Sequence, residues 1–321
     1  MKRTLAILTV LALALAIAAC GSLSNIVRTT DTIVQGADKI GKYQDAKNIH
    51  FSEADEFYIG RRVLANFFAS YQPLFDRQLT DYVSRVGQTL AQVSQRPDVW
   101  EGYRFIVYKS AGISAYCMPG GFILVSTGLL QLCDNEDQLA AVIGHELGHA
   151  RWRHPLEALK KKMEADAKND LVGFLANRSG SGMLKLFSAA AMINWEHQMN
   201  SYSRTQELEA DVYSCWLMMK AGYHPWEMTR ILKKLPGGRT KYSKNHPTVN
   251  RRLEVVREEV SRYPKVPPRS TDRDTRYKQQ VLDYLAGASM GEVEYDGGTY
   301  RNAGETTQGP DASTITDRES D

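Results

Sequence analysis

The chain has 321 residues close to charge balance, with 40 Lys and Arg against 37 Asp and Glu, and 43% hydrophobic residues. This length supports a sizeable core and is somewhat above one average domain. No basic run and no interleaving of basic and aromatic residues marks a nucleic-acid surface, so one catalytic-size domain with appendages is expected, with no nucleic-acid partner.

At the amino end Lys2 and Arg3 precede the apolar run from Leu5 to Ala19, closed by Ile17-Ala18-Ala19-Cys20. That is a signal-peptide layout over residues 1–19, short for a transmembrane helix. The small residues before Cys20 resemble a bacterial lipobox, in which the cysteine is acylated and becomes the mature terminus. Several acyl chains give stable anchoring where one does not. Gly21 and Ser22 follow in place of an acidic residue, which in a Gram-negative host resembles outer-membrane sorting. The expectation is a lipoprotein of the bacterial cell envelope that faces the periplasm, with residues 20–50 as lipid anchor and tether.

Residues 51–90 carry helical periodicity in two stretches separated by Pro73. Residues 103–108 alternate and are rich in β-formers, and Phe122 to Ser126 follow a Pro119-Gly120-Gly121 turn, so two strands are predicted. Next comes His145-Glu146-Leu147-Gly148-His149. Positions four apart share a helix face, so both imidazoles can reach one ion. Glu146, rotated about 100° from His145, can hold a water as general base. Asn135 or Asp134 can cap this helix, and Val142, Ile143 and Leu147 mark it as buried. Residues 156–199 read as a helical region broken near residues 179–182, with an apolar surface expected to pack in the core.

A zinc site that keeps one position open for water needs a third protein ligand. Glu207 and Asp211 are four apart, so one can ligate while the other accepts the free N–H of a ligating histidine. Spacing alone leaves their roles open, but Glu209 points about 200° from Glu207 and cannot share its face. That helix is expected to reach Lys220 and stop at Gly222 and Pro225. Cys117, Cys133 and Cys215 sit in apolar surroundings and are expected as buried thiols. After residue 265 the apolar density falls, except for a short helical stretch at residues 277–285. Residues 295–321 carry too few apolar groups to offset their ordering entropy and are expected to be disordered.

The run from Ser114 to Leu130, the segment from Ser203-Arg204 to Ala210-Asp211, then His246-Pro247 and Arg252 together resemble the HtpX and CAAX prenyl endopeptidase family of zinc metallopeptidases. The resemblance spans roughly residues 51–263, and three motifs in the right order carry it. It departs at Ser114-Ala115-Tyr116, where that family often has Asn-Ala-Phe, which bears on the detail of substrate contact. The resemblance implies an α+β fold, a mainly helical metallopeptidase domain over residues 51–264 with a small mixed sheet next to the His145–His149 helix. Residues 265–321 are then a mostly disordered extension. It also implies one Zn2+ per chain on His145, His149 and Glu207, with Asp211 supporting a ligating histidine.

Peptide hydrolysis with Glu146 as base follows, on polypeptide substrates. An extended substrate is expected to add to the sheet edge at Gly121, Phe122, Ile123 and Leu124. A developing oxyanion needs a hydrogen-bonding or cationic neighbour, for which His246, Arg252 and Arg204 are the candidates. His246 has an alternative role as a gate that occupies the open metal position. The reading is a membrane-tethered zinc endopeptidase acting on misfolded or misassembled envelope proteins, with the envelope assembly machinery as a candidate partner. The rival is a non-catalytic zinc-containing assembly factor or chaperone, against which the intact Glu146 argues.

Overall fold

The computed structural model describes residues 50–168, 202–235 and 247–287, and the strand pair Val293–Asp296 and Thr299–Asn302. Cys20, His246, residues 1–49 and the expected helix break at residues 179–182 lie outside the described residues. Helix α1, Glu53–Phe67, opens on a capping box. The Asp55 amide donates to Ser52 Oγ (3.1 Å) and the Ser52 amide to Asp55 Oδ2 (2.9 Å), which satisfies two otherwise orphaned donors. The two-residue strand β1, Gln72–Pro73, follows, then helix α2, Arg77–Gln92, capped by Asp76. Leu79, Val83, Val86 and Leu90 recur at helical spacing on α2 and are all buried.

Strands β2 (Arg104–Lys109), β3 (Ala115–Met118) and β4 (Phe122–Ser126) complete a mixed sheet in the order β1-β2-β4-β3. β2 pairs with β4 in parallel, Phe105 opposite Ile123, and β3 pairs with β4 antiparallel, Ala115 opposite Val125. Side chains alternate across a strand, so the sheet serves two cores. Phe122, Leu124, Tyr108 and Met118 face α1, with Phe57, Ile59, Val63 and Phe67. Ile123, Val125, Phe105, Val107 and Cys117 face the larger core with α2 and the helices below. Gly120 (φ 76°) makes the β3–β4 turn. A Cβ there would also lie 2.6 Å from the Phe57 backbone, so only glycine fits.

The sheet order corrects the expected substrate strand. Gly121 is buried in the turn, and Phe122, Ile123 and Leu124 lie on β4, buried at every position and hydrogen-bonded on both sides. An unbroken apolar run is what a strand covered on both faces requires, and such a strand has no edge to offer. Among the described residues the free edge next to the metal-binding helix belongs to β3.

The helices of the larger core are α3 (Thr127–Leu132), α4 (Glu136–Arg151), α5 (His154–Lys168), α6 (Arg204–Ala221), α7 (Glu227–Lys234) and α8 (Val249–Ser261). α6 ends at Gly222 in a left-handed conformation (φ 81°), as its glycine leads one to expect. The three cysteines Cys117, Cys133 and Cys215 are free and buried. Among the described residues no helix is long and apolar enough to cross a membrane.

The core also continues past the expected boundary at residue 264. Helix α9 (Thr271–Tyr277), a π-helical turn (Lys278–Leu282) and α10 (Asp283–Gly287) bury Tyr277, Val281 and Leu285. Arg276 donates to both oxygens of Glu136 (2.8 and 2.7 Å), and Arg273 pairs with Asp137 at 2.7 Å. These carboxylates form the first turn of α4, where negative charge also complements the helix dipole. The segment stays because its arginines neutralise buried acids. Further on, Val293–Asp296 and Thr299–Asn302 pair as an antiparallel hairpin, β5 and β6, inside the stretch expected to be disordered. Four registered backbone pairs organise that short segment despite its polar composition.

Tyr277→Ala tests the extended core. It removes a fully buried ring and the hydroxyl that donates to the Leu130 carbonyl (2.7 Å). Urea unfolding should show a loss of about 3–5 kcal/mol, the range for deleting a large buried aromatic side chain. A loss within experimental error would mean that residues 271–287 are not part of the folded unit.

Candidate metal centre

Asn135 caps α4 by accepting the Gln138 amide (2.9 Å), and every residue from Glu136 to Ala150 is buried. A helix covered all round tolerates polar groups only where partners await them. Helix α6 supplies those partners. Its start is set by a capping box of Ser203 and Gln206, which puts Glu207 in the first turn and Asp211 one turn later. The two helices touch backbone to side chain. A Cβ on Gly148 would lie 2.9 Å from Ala210 Cα, and Ser214 Oγ donates to the Ala141 carbonyl (2.6 Å).

This contact brings His145, His149 and Glu207 together, with one donor atom from each lying within 4.8 Å of the others. The two Nε2 atoms are 3.1 Å apart. Glu207 lies 3.9 Å from His145 Nε2 through Oε2 and 3.7 Å from His149 Nε2 through Oε1. The opposite ring nitrogens have other partners. His145 Nδ1 donates to Asp211 Oδ1 (2.9 Å), because the carboxylate can only accept. Nδ1 of His149 meets Nδ1 of His154 at 2.8 Å. Each ring thereby turns its Nε2 toward the other and toward the Glu207 carboxylate.

This convergence of two ring nitrogens and a carboxylate suits a cation. Donor atoms around one tetrahedral zinc, with bonds of 2.0–2.1 Å, are about 3.3 Å apart. Two imidazole nitrogens and a carboxylate, with one atom from each within 4.8 Å of the others, form a donor set that suits that ion and leaves one position for water. Burial, followed by the charges of His145 and His154, pushes His149 well below the usual imidazole range, so it is held neutral as a ligand must be. Burial likewise lowers His154 to about 4.

Arg252, in the first turn of α8, donates from Nε to Asp211 Oδ2 (2.7 Å) and from Nη2 to Oδ1 (2.6 Å). Burial opposes charge on Asp211, yet this guanidinium keeps its carboxyl below the usual range. Glu146 is buried beside the ligands. Burial pushes its carboxyl up to about 7, with His145 pulling down, Glu207 pushing up and the Cys117 amide donating to it. A carboxyl that exchanges protons near neutrality can act as both base and acid.

Of the other sequence candidates, Arg204 is exposed at the first residue of α6 and Glu209 is exposed on the same helix. Arg252, expected beside the reacting carbonyl, instead has Nε and Nη2 engaged by Asp211. Two groups escaped the sequence reading. His154 reaches His149 because the chain bends sharply at Arg153 (φ 55°) between α4 and α5, a turn with no glycine to announce it. Tyr202, one residue before the Ser203 cap, stacks on the His149 ring at 4.3 Å, and no local pattern signals that. Behind the site, buried Glu56 accepts from Arg96 (2.8 Å) and the Gly120 amide (3.2 Å) and forms an ion pair with Arg153 (2.8 Å). Arg96 also donates to the Ala150 carbonyl (2.9 Å), which ties the end of α4 to the β3–β4 turn.

Residues 77–260 match peptidase family M48. The chain is 26% identical over 241 residues to the beta-barrel assembly-enhancing protease of Yersinia pestis, covering 71% of this chain and 47% of that protein. It is 31% identical over 198 residues to the mitochondrial metalloendopeptidase OMA1 of Schizosaccharomyces pombe, covering 59% and 54%. With the metalloprotease YcaL of Escherichia coli it shares 29% identity over 161 residues, covering 48% and 61%. The chain spans about half the length of the first two of these relatives. The matched stretch covers more than half of the 321 residues and holds His145, Glu146, His149, Glu207, Asp211 and Arg252, so the chain belongs to peptidase family M48.

Proposed function

We propose that this chain is a membrane-tethered zinc endopeptidase that hydrolyses misfolded or misassembled proteins of a bacterial cell envelope. The observation that carries the catalytic part is Glu146, a buried carboxyl one residue from His145 on the helix that brings His145 and His149 to the cluster of converging donor atoms. A structural metal site has no use for such a group. His145, His149 and Glu207 would hold the ion, which when bound polarises a carbonyl and acidifies a water.

The remaining work belongs to the chain's own residues. Glu146 takes a proton from the attacking water and returns it to the amine nitrogen as the C–N bond breaks. Asp211, gripped by Arg252, fixes the orientation and tautomer of His145, and His154 does the same for His149. Substrate lies along β3. The Ser126 amide bonds the Ser114 carbonyl (3.0 Å), and pairing alternates along an antiparallel ladder, so Ser114, Tyr116 and Met118 turn their backbone groups toward β4. Ala115 and Cys117 turn theirs outward, and the Cys117 amide points to Glu146. An extended peptide added there by backbone pairing would bring its carbonyls to the base with little demand on sequence.

The setting draws on Ile17-Ala18-Ala19-Cys20, which reads as an acylation site, and on likeness to a protein named beta-barrel assembly-enhancing protease. Both support a lipoprotein of the outer membrane, facing the periplasm and working beside the envelope assembly machinery.

Glu146→Gln should keep stoichiometric zinc by metal analysis while casein hydrolysis falls at least about 10²-fold, the scale of a lost general base. Near-normal turnover by the metal-loaded variant would remove Glu146 from the mechanism. Glu207→Ala should abolish stoichiometric zinc, whereas Asp211→Ala should weaken affinity about 10–100-fold, as loss of a ligand's supporting partner does. The reverse order in competition with a chelator would exchange the two roles. Metabolic labelling with palmitate should mark the wild-type chain and not Cys20→Ser. An unlabelled wild-type chain refutes the lipid anchor.

A further inference from the structure

One polar group in the site has no part in the mechanism above. Tyr202 is buried, with its ring lying on that of His149 at 4.3 Å and an interplanar angle of 22°. Its placement is rigid, because the next residue, Ser203, is the cap of α6 and is locked by the exchange with Gln206. Ring stacking uses only the apolar face of the side chain. The hydroxyl has no hydrogen-bond partner among the described residues. A buried phenol with an unmade bond is costly, and a phenylalanine would stack on His149 equally well.

The surroundings of that hydroxyl indicate what it awaits. The acidic groups that act on it electrostatically are Cys117, Glu146 and Glu207. Cys117 lies on the edge strand, Glu146 is the base, and Glu207 is among the residues that would hold the metal. Arg252 has Nε and Nη2 engaged by Asp211, and Arg204 is exposed at the start of α6.

We propose that the Tyr202 hydroxyl is a catalytic hydrogen-bond donor that holds the oxygen of the scissile carbonyl as it takes up negative charge. The inference rests on the endopeptidase reading. Water oxygen bonds to the carbonyl carbon, the C=O π pair moves onto oxygen, and Tyr202 donates to that oxygen without surrendering its proton. When the C–N bond breaks the pair returns, and the amine leaves with the proton carried by Glu146. A donor aimed at charge that exists only at the top of the barrier accelerates the reaction without tightening substrate binding.

The test is Tyr202→Phe in the full chain loaded with zinc, which keeps the ring and removes only the hydroxyl. Zinc content and Tm are measured first. They are followed by kcat and KM on a quenched fluorescent peptide, and by calorimetric affinity for a phosphinic peptide and for the carboxylate product. Zinc and Tm should be retained, with KM within about 3-fold and kcat lower by about 10²–10³-fold, as for other oxyanion donors. Affinity for the phosphinic peptide, which carries an anionic tetrahedral centre, should fall in parallel, and that for the product should not. Unchanged kcat and phosphinic affinity would overturn the proposal and leave Tyr202 as a stacking residue. Loss of zinc or of Tm in parallel with kcat would also overturn it, assigning the hydroxyl to the framework. Wild-type hydrolysis abolished by Glu146→Gln upholds the endopeptidase reading whatever Tyr202→Phe does. A zinc-loaded wild-type chain that cleaves nothing ends both.

Discussion

The contact between α4 and α6 is the constraint on which the site depends. Gly148 lets Ala210 approach its backbone, and Gly144 faces Ser214 one turn earlier. The two glycines are four residues apart and interleave with His145 and His149, so the face that admits the neighbouring helix borders the one that carries the imidazoles. A larger residue at either glycine would separate Glu207 and Asp211 from the histidines by the width of a side chain. Small residues here set a distance, and that distance sets the chemistry.

Around this contact several buried charges are paired among the described residues. Arg252 neutralises Asp211, Asp211 orients His145, and Arg96 and Arg153 share Glu56. Removing one partner from such a chain leaves the next uncompensated, which costs far more than the pair contributes when whole. The Glu56 cluster joins α1, the β3–β4 turn and the end of α4. The spacing between metal-binding helix and edge strand is therefore fixed from behind by groups that never meet the reacting atoms.

Much of this was legible in the chain. His145, Glu146, His149, Glu207 and Asp211 stood out because helical spacing converts directly into a shared face, and Asn135 and Gly222 signal helix ends through local backbone demands alone. The failures have a common cause. Gly121 to Leu124 was expected at a sheet edge, although an unbroken apolar run belongs to a strand covered on both faces. The true edge, Ala115-Tyr116-Cys117-Met118, is too short and mixed to show a period. His154, Tyr202 and the packing of Tyr277 depend on partners 5, 53 and 147 residues away in the chain, and side-chain contacts over such separations leave no local trace.

The open side of β3 has a consequence for the protein's own solubility. Unpaired amides and carbonyls along a strand invite any extended chain, including a second copy of the same protein, and long flat edges of this kind seed aggregates. β3 has four residues, and the turn before it, at Ala111 and Gly112, is exposed and outside the ladder. Two copies meeting edge to edge would gain only a few backbone bonds and would have to bring two large helical bodies together. A single unfolded chain meets no such obstacle. Among the described residues, the shortness of the strand thus makes pairing with a flexible segment easier than pairing with a folded neighbour.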